Sequence, residues 1–229
     1  ATLGNPDIRP ERVGELDAGI DLGFFRGRAD LSVTYYNSHA RDVIFEVDTP
    51  PSTGTTTQVL NAGEIRNRGW EVSLNGRPIE TSDISLHLGL NWARNRNMVL
   101  SLGEIEPGVP REITDYGISF VGSSTHARVG EPLGIFRGLG WVRCGVSPNR
   151  VSATLDISEA CAGAPHGALY LGENGLPVAD PNERTIGDPN PDWTAGFNAE
   201  LTFRGIRLSA FVDLRHGGQV LNMTRGSLQ

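Results

Sequence analysis

Residues 192–215 read DWTAGFNAELTF, then RG, then IRLSAFVDLR. Trp193, Ala195, Phe197, Ala199, Leu201 and Phe203 alternate with Thr194, Gly196, Asn198, Glu200 and Thr202. After Arg204-Gly205, Ile206, Leu208, Ala210, Val212 and Leu214 alternate with Arg207, Ser209, Phe211, Asp213 and Arg215. A strand sends successive side chains to opposite faces, so period two on both sides of a short Gly-containing link predicts a hairpin with one greasy and one wet face.

The same pattern recurs upstream. Leu16, Ala18, Ile20, Leu22 and Phe24 alternate with polar or glycine positions, then Ala29, Leu31, Val33 and Tyr35 follow across Phe25-Arg26-Gly27. This second strand is expected to run on through Val43, Ile44 and Phe45. Trp70, Val72 and Leu74 are followed, after a turn placed at Pro78, by Ile84, Leu86, Leu88, Leu90 and Trp92. Three hairpins and few helical periods make the chain all-β. Strands of this length suit tilted bilayer crossings, which need roughly 9–11 residues. Phe24, Tyr35, Trp70, Trp92, Trp193 and Phe203 sit near the ends of the apolar faces, where an interfacial girdle lies. The tight turns would share one side. Long connections at 48–56 and about 97–191 would share the other, as short periplasmic and long extracellular loops do. Extra crossings between 97 and 191 must come in pairs; 134–142 is one candidate, with 113–121 or 167–171 as its mate. A soluble β-sandwich is the competing architecture, since its strands alternate too.

Composition narrows the function. The chain has 229 residues, 29 glycines, 14 prolines and a formal net charge of −7. All its basic residues are arginine. An acidic chain without a basic stripe is a poor nucleic-acid binder. No apolar run suits a membrane helix. The chain starts at Ala1 without an initiator Met and stops at Gln229 after a possible strand start, which reads as an internal piece of a longer protein. Cys144 and Cys161 lie in Gly/Pro/Ser-rich sequence with neither zinc-knuckle nor CxxC spacing; a disulfide closing one exposed loop is favoured over two free thiols, and implies an oxidising compartment.

Six motifs carry a resemblance. Gly4-Asn5-Pro6-Asp7-Ile8-Arg9-Pro10-Glu11 is similar to the NPxLKPE signature of TonB-dependent outer-membrane receptors. Tyr35-Tyr36-Asn37 resembles the DYYN of the SusC/RagA-like branch, and Asn61 to Glu71 its NxGEIENKGxE. Gly130-Glu131-Pro132-Leu133-Gly134-Ile135-Phe136 resembles GEPLGxFYG, and Arg184 to Trp193 resembles RTIIGDPNPDF. Gly217-Gly218 with Val220-Leu221-Asn222 resembles GGxIYN. Arg stands where the family usually has Lys, and the Asp/Asn/Gly-rich stretch before Arg184 is reduced. The resemblance implies an antiparallel transmembrane barrel of roughly 22 strands whose lumen is plugged by a separate domain. This chain would then be a partial, C-terminal-side portion of that barrel lacking the plug. It further implies the bacterial outer membrane, import of glycans, peptides or similar nutrients powered through TonB, and a SusD-like surface lipoprotein.

No enzyme reading survives. His39, His87, His126, His166 and His216 are dispersed, and no HExxH, GxSxG or P-loop occurs. No cofactor, metal or catalytic residue is expected. Asp188-x-Asn190-x-Asp192 has calcium-loop spacing, but Trp193 and Ala199 stand where the Gly and closing Glu belong, so it reads as a turn. His87 is expected on the wet face near Glu71 or Ser73. Asp17, Asp21, Glu71, His87, Glu200, Arg207 and Asp213 are the expected lumen-facing residues, with Asp30, Arg28 and Arg215 beside them. Gly19, Gly23, Gly89 and Gly196 would leave room for plug contact or strand curvature. Tyr116, Phe136, Trp141 and Tyr170, with Phe120, lie in the long connection and are candidate substrate contacts, with anchoring of a lid protein or packing within the loop as the alternatives. A soluble glycan-binding sandwich and a passive porin-like channel are the alternatives.

Overall fold

A computed structural model describes residues 2–49, 52, 54–106, 109–113, 119–120 and 123–222, with backbone alone at 105–106, 109–110, 119–120 and 123. Among the described residues, thirteen strands run in chain order: β1 Thr2–Leu3, β2 Arg12–Phe24, β3 Ala29–Asp48, β4 Thr57–Glu80, β5 Ile84–Ser101, β6 Glu104–Glu106, β7 Val109–Pro110, β8 Ser119–Phe120, β9 Ser123–His126, β10 Ile135–Gly138, β11 Arg184–Gly187, β12 Pro191–Phe203 and β13 Ile206–Gly217. No α-helix occurs among the described residues. The chain divides into two compact units.

The first unit is dominated by an open sheet in the order β13-β12-β5-β4-β3-β2, all antiparallel, with β1 added parallel to β4. β12 pairs directly with β5, so among the described residues no strand from the segment between them intervenes in the sheet. Register aligns the apolar rows across all six strands. Ile20, Val33, Val72, Trp92, Ala195 and Leu214 form one row; Leu22, Leu31, Leu74, Leu90, Phe197 and Val212 form the next. No second layer among the described residues covers them: Leu74 is 42% exposed, Leu90 39%, Phe197 39% and Val212 47%. A sandwich would bury these rows, and this sheet does not. From Trp193 to Phe203 the apolar face of β12 spans ten steps of about 3.3 Å, and a strand tilt of about 40–45° gives it a height of roughly 25 Å, the thickness of a lipid-facing band.

Turn chemistry fixes the hairpins. Arg204 (φ 45°) and Gly205 (φ 84°) form the two-residue link of β12–β13, both left-handed as a primed turn requires. Phe25, Arg26 and Gly27 take positive φ between β2 and β3. The β4–β5 link differs from expectation: Pro78 lies within β4, at a bulge between Gly76 and Ile79, and the turn itself is Thr81–Asp83. Proline has no N–H for the ladder, so the ladder breaks at it without ending the strand.

Beyond Tyr35 and Trp70, β3 to β5 extend further and polarity inverts. Phe45, Val47, Ile65 and Val99 are buried with Leu102, Ile113 and Ala127, and Leu133 packs against them. Ile65 shares strand parity with the wet-face residues Asn67 and Glu71. The wet face thus becomes a core where Leu102, Ile113, Ala127 and Leu133 pack on it. Bulges between Ala40 and Val43 and between Val43 and Ile44 accompany the change.

The second unit contains a small antiparallel sheet, β11-β10-β9-β8. The candidate strand at 134–142 is therefore the shorter β10, its mates are β9 and β11, and it belongs to this separate sheet. Val142, Val151 and Ile157 form its buried cluster, with Leu155, Cys161, Tyr170 and Val178 against it. Cys144 and Cys161 are joined by a disulfide across 17 residues. A crosslink of that span contributes about 3 kcal/mol by restricting the unfolded chain.

Candidate functional site

The wet face of the wall is built by the same registers that align the greasy one. Glu71 and Asp213 line one concavity of about 430 Å³ with Ser32, Thr34, Ser73 and Asn91. Asp21 accepts a hydrogen bond from Ser32, and Asp17 lies opposite Tyr36. His87 is opposite Glu200, and Arg207 is 3.5 Å from Glu200. The expected neighbours of His87 are thus corrected. Glu71 and Ser73 pair with Ala93 and Asn91, because the bulge at Pro78 and the longer β4 carry His87 nearer the turn.

Three of the four wet-face glycines are not vacant. A Cβ at Gly89 would collide with the Asn198 carboxamide, and at Gly196 it would touch the Phe211 ring at 3.6 Å. At Gly19 it would come within 3.1 Å of the Thr34 hydroxyl. Cross-strand side chains fill the room these glycines leave, which strand periodicity alone does not reveal.

Sequence motifs that looked separate meet at one junction in the first unit. Tyr35 pairs with Trp70 and Tyr36 with Gly69. The Tyr36 hydroxyl donates to Asn95 Oδ1 (3.0 Å). Asn95 and Asn97 both donate to Asn67 Oδ1, at 3.1 and 2.8 Å. Asn97 Oδ1 accepts from Leu133 N–H at 2.7 Å, and Asn190 Nδ2 donates to Leu133 C=O at 3.2 Å. Arg215 donates to the Pro189 carbonyl at 2.6 Å, and Trp193 stacks on His216 with ring centroids 5.2 Å apart. A chain of carboxamides thus ties the wall to the Gly130–Leu133 turn and to Asn190, just before β12. Asn67, Asn95 and Asn97 were not singled out from sequence; their shared parity with Glu71 and Asn91 is the signal that could have found them.

The aromatic candidates separate. Trp141 is 49% exposed and Tyr170 packs against the buried cluster of the second unit. Phe136 sits on β10 opposite Thr125 and Gly187. Tyr116 lies outside the described residues, and of Phe120 only the backbone is described. Nearby, burial pushes the Asp180 carboxyl up, but N–H donation from the Asn182 backbone and side chain (3.0 Å each), the Ser147 hydroxyl (3.2 Å) and the Arg184 charge outweigh it, and the pKa falls below the usual range. A depressed folded pKa contributes stability above the unfolded value of about 3.9, lost as pH falls through the folded one. Protease protection of residues 140–182 is therefore expected to exceed that of Asp180→Asn at pH 7, and the difference to vanish at strongly acidic pH.

A family model described as TonB dependent receptor-like, beta-barrel matches residues 1–218. The chain belongs to the TonB-dependent receptor β-barrel family. This receptor chain is 31% identical over 225 residues to TonB-dependent receptor P3 of Formosa agariphila, covering 97% of itself and 22% of that protein. It is 31% identical over 99 residues to TonB-dependent receptor SusC of Bacteroides thetaiotaomicron, covering 43% of itself and 10% of SusC. Solved structures titled as the RagAB peptide transporter and the RagAB peptide importer in the closed-closed state align with TM-scores of 0.66 and 0.68, at 21% and 20% identity. Those alignments cover 93% and 95% of the receptor chain and 22% of each solved chain, and show likeness of fold. The SusC/RagA-like resemblance of the motifs agrees with these matches. The receptor chain spans about a fifth of the length of the two curated relatives that it matches end to end.

Proposed function

We propose that this chain is a section of the outer-membrane wall of a TonB-powered nutrient importer. The observation that carries the reading is the division of the six-stranded sheet, between its tight turns and the Tyr35–Trp70 level, into an uncovered greasy face and a wet one. The greasy face meets outer-membrane lipid, and the wet face lines the lumen and meets the plug domain of the full-length chain. Asp17, Asp21, Glu71, His87, Glu200, Arg207 and Asp213 belong to that lumen wall. The tight turns lie on the periplasmic side, and the 97–191 segment lies outside, where Trp141 and Phe136 are available to substrate and to a SusD-like lipoprotein lid. Glycans and peptides are the substrate classes this reading supports. Gating and the contact with TonB belong to other parts of the full-length receptor, and this section carries no catalysis.

Energised uptake is the discriminating property. Cells carrying the full-length receptor are expected to accumulate fluorescein-labelled oligosaccharide or oligopeptide pools, and a protonophore is expected to abolish that accumulation. Uptake that continues undiminished under the protonophore would make the barrel a passive channel.

A further inference from the structure

Just beyond the last apolar row, on the greasy side of the sheet, arginines gather on two neighbouring strands. Arg68 on β4 and Arg94 and Arg96 on β5 share strand parity with Trp70 and Trp92, the lipid-side residues. Register sets Arg68 directly opposite Arg96, and Trp70 opposite Arg94. The Tyr35 ring lies 5.1 Å from that of Trp70. These side chains and Gly69 line a concavity of about 260 Å³. Like charges facing each other across a sheet repel, so the cluster lowers stability unless an anion joins it. The local carboxylates do not supply enough. Asp192 is 3.5 Å from Arg96 but also 3.6 Å from His216. Glu64, further along, lies 2.8 Å from His39 and 3.4 Å from Arg41. Among the described residues, Arg68 and Arg94 meet no carboxylate. Two guanidinium groups thus stand uncompensated on the outer surface of a chain with net charge −7.

The geometry points to a lipid site. The Arg68, Arg94 and Arg96 guanidinium groups, set beside the Tyr35–Trp70 pair at the end of the apolar rows, bind the phosphate monoester of an acylated glycolipid in the outer leaflet. The guanidinium fork matches phosphate oxygens two at a time. A monoester carries close to two negative charges, matching the two unpaired cations, whereas a phosphodiester carries one. Tyr35 and Trp70 are the amphipathic aromatics expected at headgroup depth. Val72, Leu74 and Leu90 continue below them as a surface for the acyl chains. The leaflet rests on the orientation given under the proposed function; the binding chemistry does not.

The test uses the full-length receptor in detergent micelles, with monophosphoryl lipid A as probe and bound lipid read by native mass spectrometry. Wild-type receptor is expected to retain the probe at least about tenfold more strongly than its dephosphorylated form or phosphatidylglycerol. The double variant Arg68→Gln, Arg94→Gln is expected to lose that preference while keeping heat-modifiable migration, because it removes a repulsion. Equal retention of all three lipids by the wild type, or an unchanged preference in the folded variant, would overturn the site. The lipid comparison on wild type stands even if the variant fails to fold. Chemical labelling of the 97–191 segment from the periplasmic side of whole cells would overturn the orientation alone, leaving micelle binding intact.

Discussion

Leu88→Arg in the full-length receptor is expected to block assembly into the membrane, while His87→Arg, one residue away, leaves it intact. Leu88 lies in the row Gly76–Leu88–Ala199–Ala210, near the middle of the apolar span between Trp193 and Phe203. That row has no charged member, so a guanidinium there finds no carboxylate on its own face. At the bilayer midplane the cost is roughly 2–4 kcal/mol, or tens- to hundreds-fold in the folded-to-unfolded ratio. His87 is on the opposite face and stands against Glu200, so an arginine there meets water and a carboxylate. The readout is the fraction of each variant reaching the heat-modifiable form in an outer-membrane assembly assay. Equal assembly of the two would mean that the faces have been assigned the wrong way round.

The second large effect is expected at Gly69. A methyl group there would overlap the main-chain carbonyl of Arg94 as well as the Tyr36 ring. A side chain can rotate away; a carbonyl within the β4–β5 ladder cannot move without breaking strand pairing. Gly69→Ala is expected to cost about 1–3 kcal/mol through overpacking. It also displaces the Tyr36 hydroxyl from Asn95. Thermal unfolding of the full-length receptor measures it, and adding Tyr36→Ala should restore only part of the loss because the clash with the carbonyl remains. Full restoration would show that the tyrosine, not the backbone, sets the limit.

The wall was legible from residues alone because strand parity is a one-dimensional signal. Leu16 to Phe24, Ile84 to Trp92 and Trp193 to Phe203 announce their faces without reference to any partner. What parity cannot announce is pairing. The proline at 78 looked like a turn because proline often marks one, yet a bulge accommodates it and shifts His87 away from Glu71. Gly89 and Gly196 looked like room for another domain or for strand curvature; register brings Asn198 and Phe211 over them. The Asn67–Asn97–Leu133–Asn190 linkage depends on contacts between residues up to 57 positions apart, and its motifs were visible only as separate likenesses. Tyr170 was legible only as an aromatic in the long connection, equally fit for substrate contact or loop packing, because nothing local shows that Val142 and Ile157 gather beneath it.

The shared registration of six strands constrains how such a gene can change length. Losing one codon inside β5 or β12 would exchange oil-soluble and water-soluble sides for every residue on the far side of the gap, a failure far larger than the loss of any single side chain. Wall segments can therefore drift in length only in steps of two, or where a kink like the one at Ala40–Val43 absorbs the odd residue. The stretch between Ser101 and Pro191 lies outside the six-stranded register, so a change of length in its turns leaves the two faces of the wall as they are.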